Sequence, residues 1–209
     1  MKLYDCQTAP SPRRVRIFAA EKGIDLDKVE IDLRAGEQFS DAFRAVNPDC
    51  VVPVLELDDG TRITEVMAIC DYIESAVPEP TLIGQAPLAR ARVLEWNTKV
   101  EQQGLLAMAD LLRNAAKGFK DRALTGPAEY AQIPELAERG RRRVTEFLGR
   151  LDERLADKVF IAGDDYSMAD ITALVLVDFA GWMKIGMPEE AGNLQRWYGA
   201  VSRRPSARA

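Results

Sequence analysis

The stretch Val51-Val52-Pro53-Val54-Leu55-Glu56-Leu57-Asp58-Asp59-Gly60-Thr61-Arg62-Ile63-Thr64-Glu65 decides how the first part of this chain folds. Asp58-Asp59-Gly60 separates two runs of strand-forming residues, and Asp and Gly tolerate the positive φ that a tight hairpin turn demands. Residues 51–57 and 61–63 therefore read as a pair of antiparallel strands. Pro53 stands inside the first of them. A proline has no N–H to give to a ladder and is kept out of strand interiors. Two readings follow: Pro53 starts the strand or sits at a bulge, or the Val52–Pro53 bond is cis. The second would leave the N–H and C=O of Val52 unpaired, where an extended peptide can join as an added strand.

Working outward, Thr64 reads as the cap of a helix whose apolar face is Val66, Ile69, Cys70 and Ile73. Glu65 then falls in the first helical turn. It is either a carboxylate near the positive end of the helix dipole, or one half of a site for an amino-acid head group: the carboxylate takes an ammonium and neighbouring free N–H groups take a carboxylate. Upstream, residues 2–5 read as a strand. Residues 13–22 read as a helix, with Pro12 in its first turn and Gly23 beyond its end. Val29, Ile31 and Leu33 alternate with Glu30 and Asp32 as a half-buried strand, and residues 40–46 as a short helix closed by Asn47-Pro48. The order is β-α-β-α-β-β-α, with crossovers of βαβ length and a closing hairpin, which is the thioredoxin-like order.

This pattern occupies residues 1–77. The proline-rich Val77-Pro78-Glu79-Pro80 opens a linker over 78–87. From Leu88 onward no strand pattern appears, so residues 88–209 read as an all-helical domain, with helices over 88–116, 135–156, 168–183 and 189–202. The first is long enough to expect a kink, and residues 117–133 read as a loop.

Composition narrows the chemistry. A net charge of −5 without a dominant basic patch argues against nucleic acid as a partner. The one dense basic run, 139–143, reads as a solvated helix face. There is no histidine, so no Ser-His-Asp triad, Cys-His pair or His-ligated metal site can be built, and no metal is expected. Cys6, Cys50 and Cys70 are far apart and form no CxxC, which removes dithiol redox chemistry. An odd number of thiols fits a reducing compartment, and a cytoplasmic location is expected. The first residues carry no apolar run of a secretory signal, and the most apolar segment, 171–183, contains Asp178 and is too short to span a bilayer, so no membrane association is expected.

Several motifs together carry a resemblance. Val52-Pro53-Val54-Leu55, Asp59-Gly60, Glu65, Ala68-Ile69 and Tyr72-Ile73 resemble the glutathione-site signature of the cytosolic glutathione transferases. Met1-Lys2-Leu3-Tyr4-Asp5, Arg14-Val15-Arg16-Ile17 and Glu21-Lys22-Gly23 resemble the opening of the bacterial and fungal members. Gly163-Asp164 and Ser167-Met168-Ala169-Asp170-Ile171 resemble the capping box of that family's helical domain. The resemblance implies glutathione as co-substrate. It implies that the Val52 backbone, next to Pro53, pairs with the cysteinyl unit, that Glu65 and the backbone of Val66 hold the γ-glutamyl head, and that Gln38 contacts the glycine carboxylate. For Gln38 an exposed loop residue is the alternative. It further implies an electrophilic apolar second substrate between the domains, and a homodimer.

Two departures stand out against that pattern. Val66 replaces the serine of many relatives, removing a hydroxyl worth about 1 kcal/mol of net hydrogen bonding. Ala9 falls where many relatives carry a catalytic Ser or Cys, within Ala9-Pro10-Ser11-Pro12. The thiolate must then be stabilised by the helix dipole, a water, or a hydroxyl, with Ser11 and Thr8 as candidates. Cys6 lies before the usual position. In the helical domain, Arg113 is the candidate contact for the second substrate, and Asn114 a candidate for orienting a water near the thiol. The expected function is conjugation of glutathione to electrophilic apolar small molecules, a detoxification reaction. The alternative is a non-catalytic binding protein of the same family. A maleylacetoacetate isomerase is disfavoured, because its serine-rich segment is missing.

Overall fold

Alternation of burial builds the sheet. In β1 (Lys2–Asp5) Leu3 and Asp5 point inward. β1 pairs in parallel with β2 (Asp27–Glu30) through Leu3↔Lys28, and antiparallel with β3 (Val54–Glu56) through Leu3↔Leu55. β4 (Arg62–Thr64) closes the hairpin against β3, giving the order β2-β1-β3-β4. The computed structural model describes residues 1–209. β2 is shorter than the alternation 29–33 predicts. The ladder ends as Ile31 N–H donates to Asp5 O, and the Asp32 carboxylate then accepts from Arg34 N and Ala35 N, bending the chain into a turn.

Three helices flank this sheet in sequence: α1 (Pro10–Glu21), α2 (Asp41–Arg44) and α3 (Val66–Ala76). α1 begins earlier than the expected residue 13, because Pro10 and Pro12 are both compatible with a first helical turn. Ser11 is thereby helical. The expected cap of α3 is corrected as well. Thr64 is the last residue of β4, and Glu65 occupies the N-cap with φ +67°. Pro53 sits directly before β3, and the Val52–Pro53 bond is cis; so is Glu79–Pro80, which nothing in the sequence announced. The end of α1 is tied down by Lys22. Its buried ammonium donates to Val77 O, Pro78 O and Pro80 O at 2.8, 3.1 and 2.6 Å and pairs with Glu74.

The chain forms two compact units, Met1–Pro80 with Thr125–Ala128 and Arg208–Ala209, and Thr81–Leu124 with Glu129–Ala207. The second unit is helical. α4 (Pro87–Lys99) and α5 (Leu106–Ala115) are joined by a π-helical turn over Val100–Leu105, which is where the long helix expected over 88–116 with a kink is interrupted. α6 (Pro134–Arg154), α7 (Met168–Trp182) and α8 (Gly192–Val201) complete it. Residues 117–133 carry only a 3-10 turn at Lys117–Phe119 and a bridge between Arg122 and Tyr130.

α7 is buried nearly all round. Its start is held by Asp170, which is fully buried and accepts from Ser167 N, Ser167 Oγ, Ile161 N and Trp197 Nε1 at 2.8–3.0 Å. Burial pushes the Asp170 carboxyl up to about 6 against the pull of these donors.

α5 and α6 approach closely at Gly140. A Cβ there would lie 2.5 Å from Ala107 O and 2.8 Å from Leu111 N, both main-chain atoms that cannot swing away. Gly149, in the same helix, has nothing within 4 Å of such a Cβ. Gly140→Ala is expected to destabilise the protein by about 1–3 kcal/mol through overpacking, whereas Gly149→Ala should stabilise it by up to ~1 kcal/mol. Chemical denaturation of the two variants checks the opposite signs.

Candidate functional site

The sheet register gathers the candidate residues of the first unit at one end. β1 and β2 both finish there, at Asp5↔Glu30. β3 starts there, two residues beyond Val52, and β4 ends there, since Val54 pairs with Thr64. The turn 6–11, the segment bearing Gln38, the backbone of Val52, and Glu65 thus leave the same edge.

Val52 offers main-chain groups with no taker. The preceding carbonyl, Val51 O, accepts from Asn47 Nδ2 at 2.9 Å, and the ladder resumes at Val54. Between them, the N–H and C=O of Val52 have no partner in the chain. Its side chain packs against the cluster of Ile31, Phe43 and Val54, which anchors the segment while its backbone stays available.

At the start of α3, Glu65 is exposed, and its φ of +67° with ψ 128° is a conformation side chains other than glycine rarely adopt, costing on the order of 1–3 kcal/mol. No side chain caps the helix, and the N–H groups of Val66 and Met67 have no acceptor in the chain. A carboxylate and free helix N–H groups therefore stand side by side, complementary to an ammonium next to a carboxylate. Gln38 is not an exposed loop residue. It lies in the 3-10 turn Glu37–Phe39, is 7% exposed, and its Oε1 is buried without a partner. A buried amide oxygen left unpaired costs free energy that a ligand donor can recover.

The turn into α1 is poor in donors. Pro10 and Pro12 have no N–H, Ala9 N–H is used on Cys6 O, and Arg13 N–H on Ala9 O. Ser11 N–H is the first-turn amide that remains. Ser11 Oγ accepts from the buried Arg14 Nη2 at 3.3 Å and keeps its own proton to donate. Thr8 Oγ1 lies 3.6 Å from the buried Cys6 Sγ, which occupies that hydroxyl locally.

In the helical unit the two candidates are used differently from the expectation. Asn114 is buried; its Nδ2 donates to Asp110 O and its Oδ1 accepts from Ile133 N, both at 2.9 Å. This side chain joins α5 to the entry of α6. Arg113 Nη1 donates to Arg122 O and Leu124 O at 2.7 and 2.9 Å, and the guanidinium lies 4.8 Å from the centre of the Phe119 ring. Burial, reinforced by Arg122, lowers its pKa. Arg113 thereby shapes the segment after α5. Sequence reasoning missed the charged frame of the first unit, in which Arg14, Arg16 and Asp5 are all buried. The signal present was a pair of arginines two apart in a helix that also buries Val15, Ile17 and Phe18.

No group of three or more His, Cys, Asp or Glu residues is placed to hold a metal ion, and no helix is long and apolar enough to cross a membrane. Residues 8–76 match the family model of the glutathione S-transferase N-terminal domain, and residues 115–205 that of the glutathione S-transferase C-terminal domain. The chain belongs to the glutathione S-transferase family. Glutathione S-transferase 2 of Saccharomyces cerevisiae is 36% identical over all of this chain and 88% of its own length. A maleylacetoacetate isomerase of Pseudomonas aeruginosa is 39% identical over 65% of this chain and 80% of its own. The crystal structure of a glutathione S-transferase domain-containing protein of Marinobacter aquaeolei VT8 superposes with a TM-score of 0.91, at 36% identity and 99% coverage of both chains. The fold is accordingly thioredoxin-like in the first unit and all-helical in the second, as the sequence predicts, and glutathione is the family's substrate.

Because Asn114 bridges two helices through its amide, Asn114→Ala should lower the thermal midpoint, with a loss of about 1–2 kcal/mol. Glutathione affinity should stay as in the parent. Calorimetric melting and a glutathione titration of the same variant check this pair of outcomes.

Proposed function

We propose that this glutathione transferase joins reduced glutathione to electrophilic apolar small molecules, and that it binds the tripeptide along the sheet edge at Val52. The unpaired main chain of Val52 is the observation that carries the reading. In it, Val52 N–H and C=O pair with the cysteinyl unit beside Pro53. Glu65 takes the α-ammonium of the γ-glutamyl head, and the Val66 N–H takes its carboxylate. Gln38 donates from its amide Nε2 to the glycine carboxylate, since its Oε1 can only accept.

The chemistry asks little more than a thiolate held in place. A thiol of pKa ~8.5 must be lowered by ~2 units, which takes about 2.7 kcal/mol of preference for the anion. The start of α1 supplies up to ~2 kcal/mol when partly buried, and Ser11 adds the one free amide of that turn and a hydroxyl proton. The thiol proton leaves to solvent. The sulfur lone pair then forms the bond to the electrophilic carbon, and a leaving group departs or an activated double bond accepts the electrons. Arg113 and Asn114 act at a distance, by fixing the segment that follows α5. The three free cysteines fit a protein of the cytoplasm. The family resemblance supports a homodimer with a role in detoxification. We place the functional domains at 1–77 and 88–209, with 78–87 as the linker. The isomerase reading has less support, since Ala9-Pro10-Ser11-Pro12 lacks a serine-rich segment.

Retention on immobilised glutathione, followed by absorbance turnover with a generic aryl halide, tests the proposal. The protein should be retained and should turn over. Ser11→Ala should lower kcat at least tenfold with little change in glutathione affinity, the loss of one charge-assisted hydrogen bond of about 1.5–3 kcal/mol. Retention without turnover would instead support the binding-protein alternative, and no retention would remove both.

A further inference from the structure

The hydrogen bonds that hold the turn between β1 and α1 converge on one side chain that the reading above does not use. Arg16 lies in the middle of α1 and is 7% exposed. Its Nη1 pairs with the buried Asp5 carboxylate and reaches Cys6 O at 3.5 Å, and its Nη2 donates to Gln7 O at 2.9 Å. From the opposite side, Glu30 at the end of β2 accepts Gln7 N–H on both carboxylate oxygens, at 2.9 and 3.1 Å. Ala9 N–H closes onto Cys6 O at 2.9 Å. The carbonyls of Cys6 and Gln7 and the N–H of Gln7 are thus all fixed. The amides of Thr8 and Ser11 are left without an acceptor in the chain.

This pattern is more than a buried ion pair. A pair needs only two charges, whereas here one guanidinium spreads its planar fork over a carboxylate and two consecutive carbonyls. A lysine ammonium has no such fork. The groups it fixes lie immediately before the two unused amides, at the edge of the sheet where Val52 is also unpaired. Donors that stabilise a developing or standing anion do so fully only when they are already aimed and need not reorganise.

We propose that Arg16 is a positioning residue for the sulfur: by clamping Asp5, Cys6 and Gln7 it holds the Thr8–Ser11 turn with its free amides and the Ser11 hydroxyl set toward the glutathione thiolate. The inference rests on the proposed glutathione site. Arg16 touches neither substrate, and it works through the backbone of the turn.

The test compares Arg16→Lys with the parent in two measurements. The first is amide hydrogen exchange on the ligand-free protein. Peptides covering 6–12 should exchange about tenfold faster, while peptides of the β3–β4 hairpin should not change. The second is the pH dependence of thiolate absorbance for bound glutathione. The midpoint should rise by ~1 unit, a tenfold loss of thiolate at a fixed lower pH, with glutathione affinity kept within about threefold. Because Arg16 is buried, Glu30→Ala provides a second variant on the exposed side of the same turn. It leaves no buried charge behind and should shift both readouts in the same direction by a smaller amount. Unchanged exchange over 6–12, or exchange raised uniformly through the molecule, overturns the clamp. Faster local exchange with an unmoved thiol midpoint overturns its link to the sulfur. If the parent protein fails to bind glutathione, the parent reading fails, and exchange in the ligand-free protein still judges the clamp by itself.

Discussion

One strand position sets the terms for the rest: the backbone of Val52 enters β3 without a partner for its N–H or its C=O. An unpaired amide and carbonyl at a sheet end keep their hydrogen-bonding capacity for something else, and an extended peptide is the partner that satisfies both at once. The surrounding structure serves to keep that segment rigid. Asn47 holds the Val51 carbonyl, and the Val52 side chain is packed against Ile31, Phe43 and Val54. The strained backbone at Glu65, at the end of β4, then sets a carboxylate and free helix amides beside the same edge. Main-chain pairing gives such a site affinity for any extended peptide. In the proposed reading, the Glu65 carboxylate with the free amides of α3, and the buried amide of Gln38, give it direction.

In the proposed mechanism, thiol activation at the same edge relies on few groups. Two prolines strip the first turn of α1 of donors and leave the Ser11 amide and hydroxyl there, the groups through which the proposed mechanism brings the helix dipole to the sulfur. With so few donors, each must be held where it is needed, and the buried charges of α1 do this. Arg14 supports the Ser11 hydroxyl, and Arg16 supports the turn before it. Burial of Asp5 raises its pKa despite the neighbouring guanidinium of Arg16. A buried ion pair of this kind is weak evidence for stability, and what it contributes here is the set of hydrogen bonds to the turn.

Much of this was legible in the sequence. The Asp58-Asp59-Gly60 turn and the alternation around it gave the hairpin, Pro53 pointed to an interrupted ladder, and the Ser167–Asp170 box marked the start of α7. Where the reading missed, tertiary contacts outweighed local pattern. Thr64 looks like a cap because threonine favours caps, yet β3 recruits it into the ladder and passes the cap position to Glu65. The helix over 88–116 is long enough to expect a kink, but nothing in residues 100–105 marks where it falls. Its π turn has Gly104 packed against Leu176, 72 residues away in a part of the chain that no local pattern can see. Asn114 and Arg113 read as candidate ligand contacts because they are polar among leucines. Their partners, Ile133, Arg122 and Leu124, lie in a segment without periodicity.

The most direct measurement of the central claim follows the amide of Val52 by heteronuclear NMR while reduced glutathione is titrated into the isotope-labelled protein. The account predicts a saturable shift of the Val52 resonance, moving together with those of Val66 and Gln38 along a single binding isotherm. A titration that leaves Val52 unmoved, or that shifts it without Val66, would contradict it.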